Sequence, residues 1–192
     1  GSDPWYMKRV IDYILANNAH LIFDADRSYP LGGVNPRPPL FTWSIALVSM
    51  ALEPMLGPDA VWIAILGLPA IYGALTIFPI AAIAKDNFGK STGVVAAWLI
   101  AFMPAHVSHS TWGLADHDAF VMLFISMGFM FWFKAIKNSG NERLTKTSSP
   151  RISDILKSFS VVASEKRSAM SFAVLAGVSF GVASLAWKGF VV

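Results

Sequence analysis

The chain has 192 residues, of which 55% are hydrophobic and only 14% are charged. An ordinary soluble domain carries about 25% charged residues, so this composition excludes a typical water-soluble domain and also a disordered chain. The absence of cysteine excludes disulfides, thiolate zinc sites and cysteine nucleophiles. The composition therefore indicates a membrane protein, and the apolar stretches of the chain predict an all-α, polytopic fold. Because the chain starts without Met and ends in an apolar run, we expect it to be part of a longer protein.

The first predicted element is an amphipathic helix after Pro4, because apolar residues recur there at one-face helical spacing. They are Met7, Val10, Ile11, Ile14 and Leu15. We expect this helix to lie along the membrane interface. A Pro/Gly-rich loop follows, and then an apolar stretch, 40–52, that is too short for a normal span and suits an interfacial or re-entrant helix. Residues 1–57 are thus predicted to form a first external loop with interfacial helices.

The remaining residues, 58–192, are predicted to form a transmembrane helical domain, because apolar stretches recur there at close to membrane-spanning length. The predicted spans are about 61–84, 92–107, 119–133 and 169–187.

Charge predicts the orientation of these spans. The loop 134–168 carries eight of the chain's 15 lysines and arginines, and such loops accumulate on the cytoplasmic side. Counting from that loop, Asp116–Asp118 and Trp187 fall on the external face. If 40–52 does not cross the membrane, Asp3 is external as well. The basic loop is explained by this orientation rule and does not suggest nucleic-acid binding.

Three carboxylates, Asp3, Asp116 and Asp118, each lie at the external end of a predicted helix. They can act as helix caps, since Asp is favoured at the N-cap position. They can also bind a divalent cation such as Mg²⁺ or Mn²⁺, which prefers carboxylate oxygens together with substrate phosphate. The two roles are compatible, and carboxylates close to lipid often mark a functional site.

Histidines near the same place offer a rival metal site. His106 and His109 have i,i+3 spacing, and His117 separates the two aspartates; imidazole ligands favour zinc. Arg37 suits bidentate phosphate contact, or else faces lipid headgroups or solvent. Trp187, by default, belongs to an aromatic belt at the membrane boundary.

Four motifs resemble the catalytic subunit of oligosaccharyltransferase, which moves a glycan from a lipid phosphate to asparagine. They are Gly1-Ser2-Asp3-Pro4-Trp5-Tyr6, the loop from Phe23-Asp24 through Tyr29-Pro30-Leu31-Gly32 to Pro38-Pro39-Leu40, Gly113-Leu114-Ala115-Asp116-His117-Asp118, and Trp187-Lys188-Gly189-Phe190. The resemblance covers essentially the whole chain and is closest to archaeal, single-subunit enzymes. It implies a helical domain of the lipid-phosphate-dependent glycosyltransferase class.

By this resemblance, Asp3, Asp116 and Asp118 would hold Mg²⁺ or Mn²⁺, with Asp3 and Asp116 as catalytic residues. Arg37, His117 and Trp187 would contact the lipid phosphate or other substrate groups. The implied partners are a lipid-phosphate-linked oligosaccharide, an acceptor protein or peptide with an Asn-X-Ser/Thr sequon, and membrane lipid. The implied location is the cell membrane, multi-pass, with the active face outward, or the endoplasmic reticulum membrane in a eukaryote.

The family's first span, its later glutamate-bearing loop and its Trp-Trp-Asp-Tyr-Gly motif do not occur in these 192 residues. We therefore expect the isolated chain to be inactive. One alternative is another lipid-phosphate-sugar glycosyltransferase, such as a protein O-mannosyltransferase. A transporter is disfavoured, because transporters place ionisable groups near the bilayer midplane and the predicted span interiors carry none.

Overall fold

The computed structural model describes residues 3–139, 167–187 and 189, without the side chain of residue 3. The all-α fold class expected from the sequence is confirmed. The helices are α1 (Asp3–Asn17), α2 (Pro39–Leu56), α3 (Ala60–Phe88), α4 (Lys90–Phe102), α5 (Pro104–His109), α6 (Asp118–Ser139) and α7 (Arg167–Ala186). A 3-10 turn, Gly57–Asp59, joins α2 to α3. Two short antiparallel strands, β1 (Phe23–Asp24) and β2 (Gly33–Val34), pair within the loop after α1.

Three helical stretches in the described part of the chain are long and apolar enough to cross a membrane. They are Pro39–Phe88, Asp118–Ser139 and Arg167–Ala186. The protein is therefore a membrane protein. α4 is apolar but has only 13 residues, so it is shorter than the span that we expected at 92–107.

Pro104 divides that expected span into two helices. A proline disfavours helical geometry at the residue before it, and Met103 is extended, with a ψ angle of 118°. α4 consequently ends at Phe102. Pro104 then occupies the first position of α5. An N–H at that position would have no partner within the helix, so its absence in proline costs no hydrogen bond.

The apolar face of α1 packs against protein, and its position along the membrane interface stays a prediction. Met7, Val10, Ile11 and Ile14 are each at most 1% exposed and belong to the main core, together with side chains of α2 and α3. Burying each such side chain contributes about 1.5–3 kcal/mol. The periodicity identified the buried face correctly, but α1 is held by its neighbouring helices and not by lipid alone.

α3 and α6 run parallel, because their contacts keep the same spacing along both helices. The rings of Tyr72 and Phe120 lie 5.1 Å apart, and fourteen residues further along each helix Lys134 Nζ lies 3.8 Å from Asp86 Oδ2. Fourteen residues correspond to about 21 Å of helix. We call the end of the bundle near Phe120 the acidic end, because α6 starts there at Asp118, and the opposite end near Lys134 the basic end.

α7 is antiparallel to α6 and returns the chain to the acidic end. Phe180 packs edge-on against Phe129 at 5.3 Å, and Phe172 stacks on Phe131 at 6.3 Å. Gly128 allows the close approach, since a Cβ at that position would lie 2.6 Å from the ring of Phe180.

α2 folds back against α3 as an antiparallel pair. Tyr72 Oη donates to Ser44 Oγ at 3.4 Å, and these two residues lie equally far from the 3-10 turn. Gly57 begins that turn with a φ of +56°, a conformation that favours glycine. Arg37 lies just before α2 and contacts Asp116, so α2 begins near the acidic end. α2 then leads through the 3-10 turn to the start of α3, so it ends on the same side.

Candidate metal centre

Helix α5 and the loop that joins it to α6 are fixed against α3 by four contacts. His106 Nε2 lies 3.1 Å from the carbonyl oxygen of Gly73, and the amide of Gly113 donates to the carbonyl of Leu66 at 3.0 Å. A Cβ on Gly73 would lie 2.2 Å from Cβ of Ser110, and one on Gly67 would lie 2.7 Å from the ring of Trp112. These two glycines therefore let the loop lie directly on the α3 backbone.

That loop ends in three consecutive residues that can bind a cation. One donor atom from each of Asp116, His117 and Asp118 lies within 4.8 Å of the other two. Asp116 Oδ1 accepts from the backbone N–H of His117 at 2.7 Å and lies 2.6 Å from Nδ1 of the same imidazole. Asp118 begins α6, and its Oδ2 lies 2.6 Å from Nδ1 of His109.

The donor set fits a divalent cation. Carboxylate oxygens are the ligands that Mg²⁺ and Mn²⁺ prefer. Ligands about 2.1 Å from an ion lie at most about 4.2 Å from one another, so a small side-chain rotation would bring the three atoms into range. His117 Nε2 is buried without a hydrogen-bond partner among the described residues and lies 3.8 Å from Asp118 Oδ1.

The pKa of Asp116 is lowered from its usual value. The largest cause is the hydrogen bond from the His117 side chain, which outweighs the opposing effect of burial. The backbone N–H of His117 and the positive charge of Arg37 act in the same direction. Asp116 is therefore ionised at neutral pH, which a metal-binding carboxylate must be.

Arg37 lies beside the cluster. Its Nη1 is 3.8 Å from Asp116 Oδ1, and its side chain is 18% exposed. The loop that carries it is fixed by Asn35, whose side chain donates to the carbonyl of Leu21 at 2.9 Å and accepts from the amide of Arg37 at 3.0 Å. The structure thus brings a residue of the predicted first external loop to Asp116, in the loop between α5 and α6.

Trp187 directly follows α7 and lies beside Asp118. With His109 and Asp118, it lines an apolar pocket of about 350 Å³ between α4, α5 and α6. A Cβ on Gly189 would lie 2.4 Å from the indole ring, so the glycine of the Trp-x-Gly motif leaves room for this tryptophan. The structure therefore places the third and fourth sequence motifs together.

Asp3 begins α1, but its side chain lies outside the described residues. Its position as a metal ligand therefore stays a prediction. The start of α1 lies close to the same site, since Met7 lines a small gap together with Arg37 and His117.

A second acidic cluster, at Asp24, received no role from the sequence. Asp24 is 2% exposed and accepts two hydrogen bonds from Arg9, at 2.8 and 2.9 Å, while Arg9 also donates to Asp26 at 2.6 Å. Burial raises the pKa of Asp24, but the Arg9 hydrogen bond and the amide of Asp26 lower it by more. No local signal identifies this pair, because its partners are fifteen residues apart.

The histidine pair that we considered as a rival zinc site is divided between two roles. His106 fixes α5 to α3, whereas His109 contacts Asp118. Neither belongs to the cluster of three donor atoms within 4.8 Å, which holds only Asp116, His117 and Asp118 in the described part of the chain. The i,i+3 spacing did not identify the separate partners of these two histidines.

The family model described as Oligosaccharyl transferase STT3, N-terminal, matches residues 1–192. The yeast dolichyl-diphosphooligosaccharide–protein glycosyltransferase subunit STT3 is 32% identical over 143 residues, covering 70% of this chain and 20% of that protein. The Haloferax volcanii dolichyl-monophosphooligosaccharide–protein glycotransferase AglB is 24% identical over 192 residues, covering 97% of this chain and 17% of that protein. The chain thus spans about a fifth or less of the curated relatives it matches.

Solved structures share this arrangement of helices. The Archaeoglobus fulgidus oligosaccharyltransferase in the apo form matches with a TM-score of 0.80 and 22% identity, over 99% of this chain and 20% of that one. The same organism's AglB, in complex with an inhibitory peptide and a dolichol-phosphate, matches with a TM-score of 0.76 and 22% identity, over 98% and 20%. A complex of the A. fulgidus enzyme with Zn and sulfate matches with a TM-score of 0.74 and 23% identity, over 98% and 21%.

Proposed function

Because this chain belongs to the STT3 family of oligosaccharyltransferase catalytic subunits, we propose that its full-length protein is a metal-dependent glycosyltransferase. It transfers an oligosaccharide from a lipid phosphate to the asparagine of Asn-X-Ser/Thr sequons. The observation that carries this proposal is the convergence of Asp116, His117, Asp118 and Arg37 at one end of the helix bundle.

We propose that Asp3, Asp116 and Asp118 hold Mg²⁺ or Mn²⁺, with the His117 imidazole available as a further donor. An ion held by these residues would supply polarisation of the phosphate oxygens and stabilisation of the charge left on the lipid phosphate. The chemistry of the donor set supports this assignment, as does the buried, unpartnered Nε2 of His117. The related A. fulgidus enzyme has been crystallised with Zn and sulfate, a cation and a tetrahedral anion.

Arg37 is the proposed phosphate contact. Its guanidinium lies next to the ionised Asp116, so it can hold an anion adjacent to the metal-binding carboxylate. The apolar pocket beside Asp118, bordered by Trp187, provides a water-poor surface for the first hydrocarbon units of the lipid. The related AglB complex with a dolichol-phosphate supports a polyprenyl-type lipid for this protein as well.

We propose that Asp3 also hydrogen-bonds the acceptor carboxamide. An amide nitrogen is a poor nucleophile, so its alignment with the anomeric carbon contributes to the rate through positioning. The start of α1 is near the cluster, since Met7 and His117 line one gap. A relative tethered to a peptide with an NVT sequon supports a sequon-containing acceptor.

The proposed setting is a multi-pass protein of the cell membrane, or of the endoplasmic reticulum in a eukaryote, with its acidic end outward. The excess of lysine and arginine in residues 134–168 supports this orientation. Residues 1–57 then form the first external loop and residues 58–192 the transmembrane part.

The test uses the purified full-length protein, a dolichyl-phosphate-linked or dolichyl-diphosphate-linked oligosaccharide, and a fluorescent peptide with an Asn-Ala-Thr sequon. We expect transfer that EDTA abolishes and added Mn²⁺ or Mg²⁺ restores. Asp116→Ala should lower the rate by about 100-fold or more. A peptide with Gln in place of Asn is the matched control and should stay unmodified.

Two outcomes would contradict the proposal. Transfer that persists in EDTA would remove the metal from the reaction. Transfer of sugar to the threonine of the Gln-Ala-Thr peptide would support the O-mannosyltransferase alternative instead.

A further inference from the structure

His109 is the last residue of α5, and it contacts one oxygen of a proposed metal ligand. Its Nδ1 lies 2.6 Å from Asp118 Oδ2, which is hydrogen-bonding distance. The other oxygen, Asp118 Oδ1, is directed to the cluster and lies 3.8 Å from Nε2 of His117. The two oxygens of one carboxylate therefore have different surroundings.

α5 holds His109 in a defined place. This helix has only six residues, too few to be stable without tertiary contacts. It is held at its first turn by His106, which contacts the carbonyl oxygen of Gly73, and at its end by Ser110, which packs on Gly73 itself. A ring carried by such an anchored turn can fix the group that it contacts.

Asp118 needs such a partner more than Asp116 does. The Asp116 carboxylate already accepts from the backbone and the side chain of His117, whereas the Asp118 side chain is 37% exposed at the first turn of α6. Without a hydrogen bond to Oδ2, an exposed carboxylate rotates among several orientations, and its ordering cost is then added to metal binding.

We propose that His109 is a positioning residue, which orients the Asp118 carboxylate for metal binding without ligating the metal itself. This inference rests on the proposed metal site. Among the described residues, the donor atoms that converge within 4.8 Å come from Asp116, His117 and Asp118, and His109 is not one of them. Partners of metal ligands outside the first coordination sphere commonly change metal affinity by about 10–100-fold.

The experiment measures Mn²⁺ affinity of the full-length protein by calorimetry, without any glycan substrate. His109→Ala should weaken binding by about 10-fold or more, and His109→Gln, which restores an N–H donor, should recover most of the loss. His106→Ala is the matched control, because it removes a histidine from the same helix whose ring contacts the backbone carbonyl of Gly73 and not a proposed metal ligand among the described residues. It should lower thermal stability while changing Mn²⁺ affinity less than His109→Ala.

Asp118→Ala separates this inference from the proposed function. If Asp118→Ala abolishes Mn²⁺ binding while His109→Ala leaves it unchanged, the positioning role is wrong and the metal site stands. If neither variant changes the affinity, the metal site itself is wrong. Electron spin echo spectra of bound Mn²⁺ test direct ligation: loss of a directly bound ¹⁴N signal in His109→Ala would make His109 a ligand and overturn the inference.

Discussion

Two acidic clusters of this protein differ in what surrounds their carboxylates. Asp24 is buried, and both of its oxygens accept from Arg9, so its charge is already neutralised within the fold. Asp116 and Asp118 are 31% and 37% exposed and contact imidazoles, with Arg37 only at 3.8 Å. A guanidinium is permanently charged, so it neutralises the carboxylate that it contacts. A neutral imidazole can orient a carboxylate by a hydrogen bond while the negative charge of that carboxylate stays available to bind a cation.

This difference suggests how to separate structural from functional acids in a membrane protein. The Asp24 cluster has a complete set of internal partners, so it contributes to stability. The Asp116 cluster keeps one buried nitrogen, Nε2 of His117, without a hydrogen bond among the described residues, so a ligand would complete it.

The largest expected effect is on metal affinity. In the full-length protein, Asp116→Ala should raise the Mn²⁺ dissociation constant by at least about 100-fold, because even indirect partners of a metal ligand contribute 10–100-fold. Asp24→Asn should leave that constant within about threefold, since Asp24 is saturated by Arg9. Calorimetry gives both values, and an equal loss in the two variants would remove the distinction between the clusters.

The next largest effect is on stability, and here we expect the Asp24 cluster to be the sensitive one. Asp24→Asn should lower the free energy of unfolding by about 1.5–3 kcal/mol, because it weakens two charge-assisted hydrogen bonds at a buried site. Asp26→Asn is the control: its carboxylate contacts the same Arg9 but is 69% exposed, so the loss should be below about 1 kcal/mol. Denaturant titration in detergent measures both, and equal losses would contradict the structural role of Asp24.

The glycines of α3 that contact the loop between α5 and α6 provide a third test. Gly73→Ala places a Cβ 2.2 Å from Cβ of Ser110 and should destabilise the protein by about 1–3 kcal/mol while also weakening Mn²⁺ binding, because the loop must move. Gly177→Ala, in α7, is the matched control, since its Cβ meets no described atom within 4 Å; it should be neutral or slightly stabilising. Unchanged Mn²⁺ binding in Gly73→Ala would show that the site does not depend on this packing.

The smallest effect is the dependence of stability on pH. Asp24 and Asp116 both have a lowered pKa in the folded protein, so each contributes stability above the ordinary carboxyl pKa of about 3.9. That contribution is lost as the pH falls through the lower folded pKa. Thermal unfolding of the metal-free protein between pH 6 and 3 should therefore show a smaller acid loss in Asp24→Asn than in the wild type. An identical acid loss would mean that the Arg9–Asp24 pair does not stabilise the ionised form.

Local patterns in the sequence predicted the features that depend on near neighbours. The apolar stripe of α1 is one of them, because helical periodicity alone determines which side chains share a face. The proximity of Asp116, His117 and Asp118 is another, since three consecutive residues stay close in almost any conformation. The prediction of one span over 92–107 missed the helix break at Pro104, although the restriction that a proline places on the preceding residue is a local signal.

Contacts between distant segments could not be read in the same way. The Arg9–Asp24 pair depends on the path of the loop after α1, and the His109–Asp118 contact depends on the direction that α5 takes after the break. Which neighbours cover the apolar face of α1 could not be read either, because periodicity identifies an apolar face but not whether lipid or protein covers it. Here α2 and α3 cover it.

One helix, α3, supports both α1 and the loop between α5 and α6. Trp62, in its first turn, packs against α1, and Leu66, Gly67 and Gly73, further along, contact that loop. The residues of the proposed site are thus held by one helix. The far end of this helix contacts Lys134, about 21 Å along the bundle from Phe120. A change at the basic end, about 21 Å away, can therefore leave the spacing between Arg37 and Asp116 unchanged.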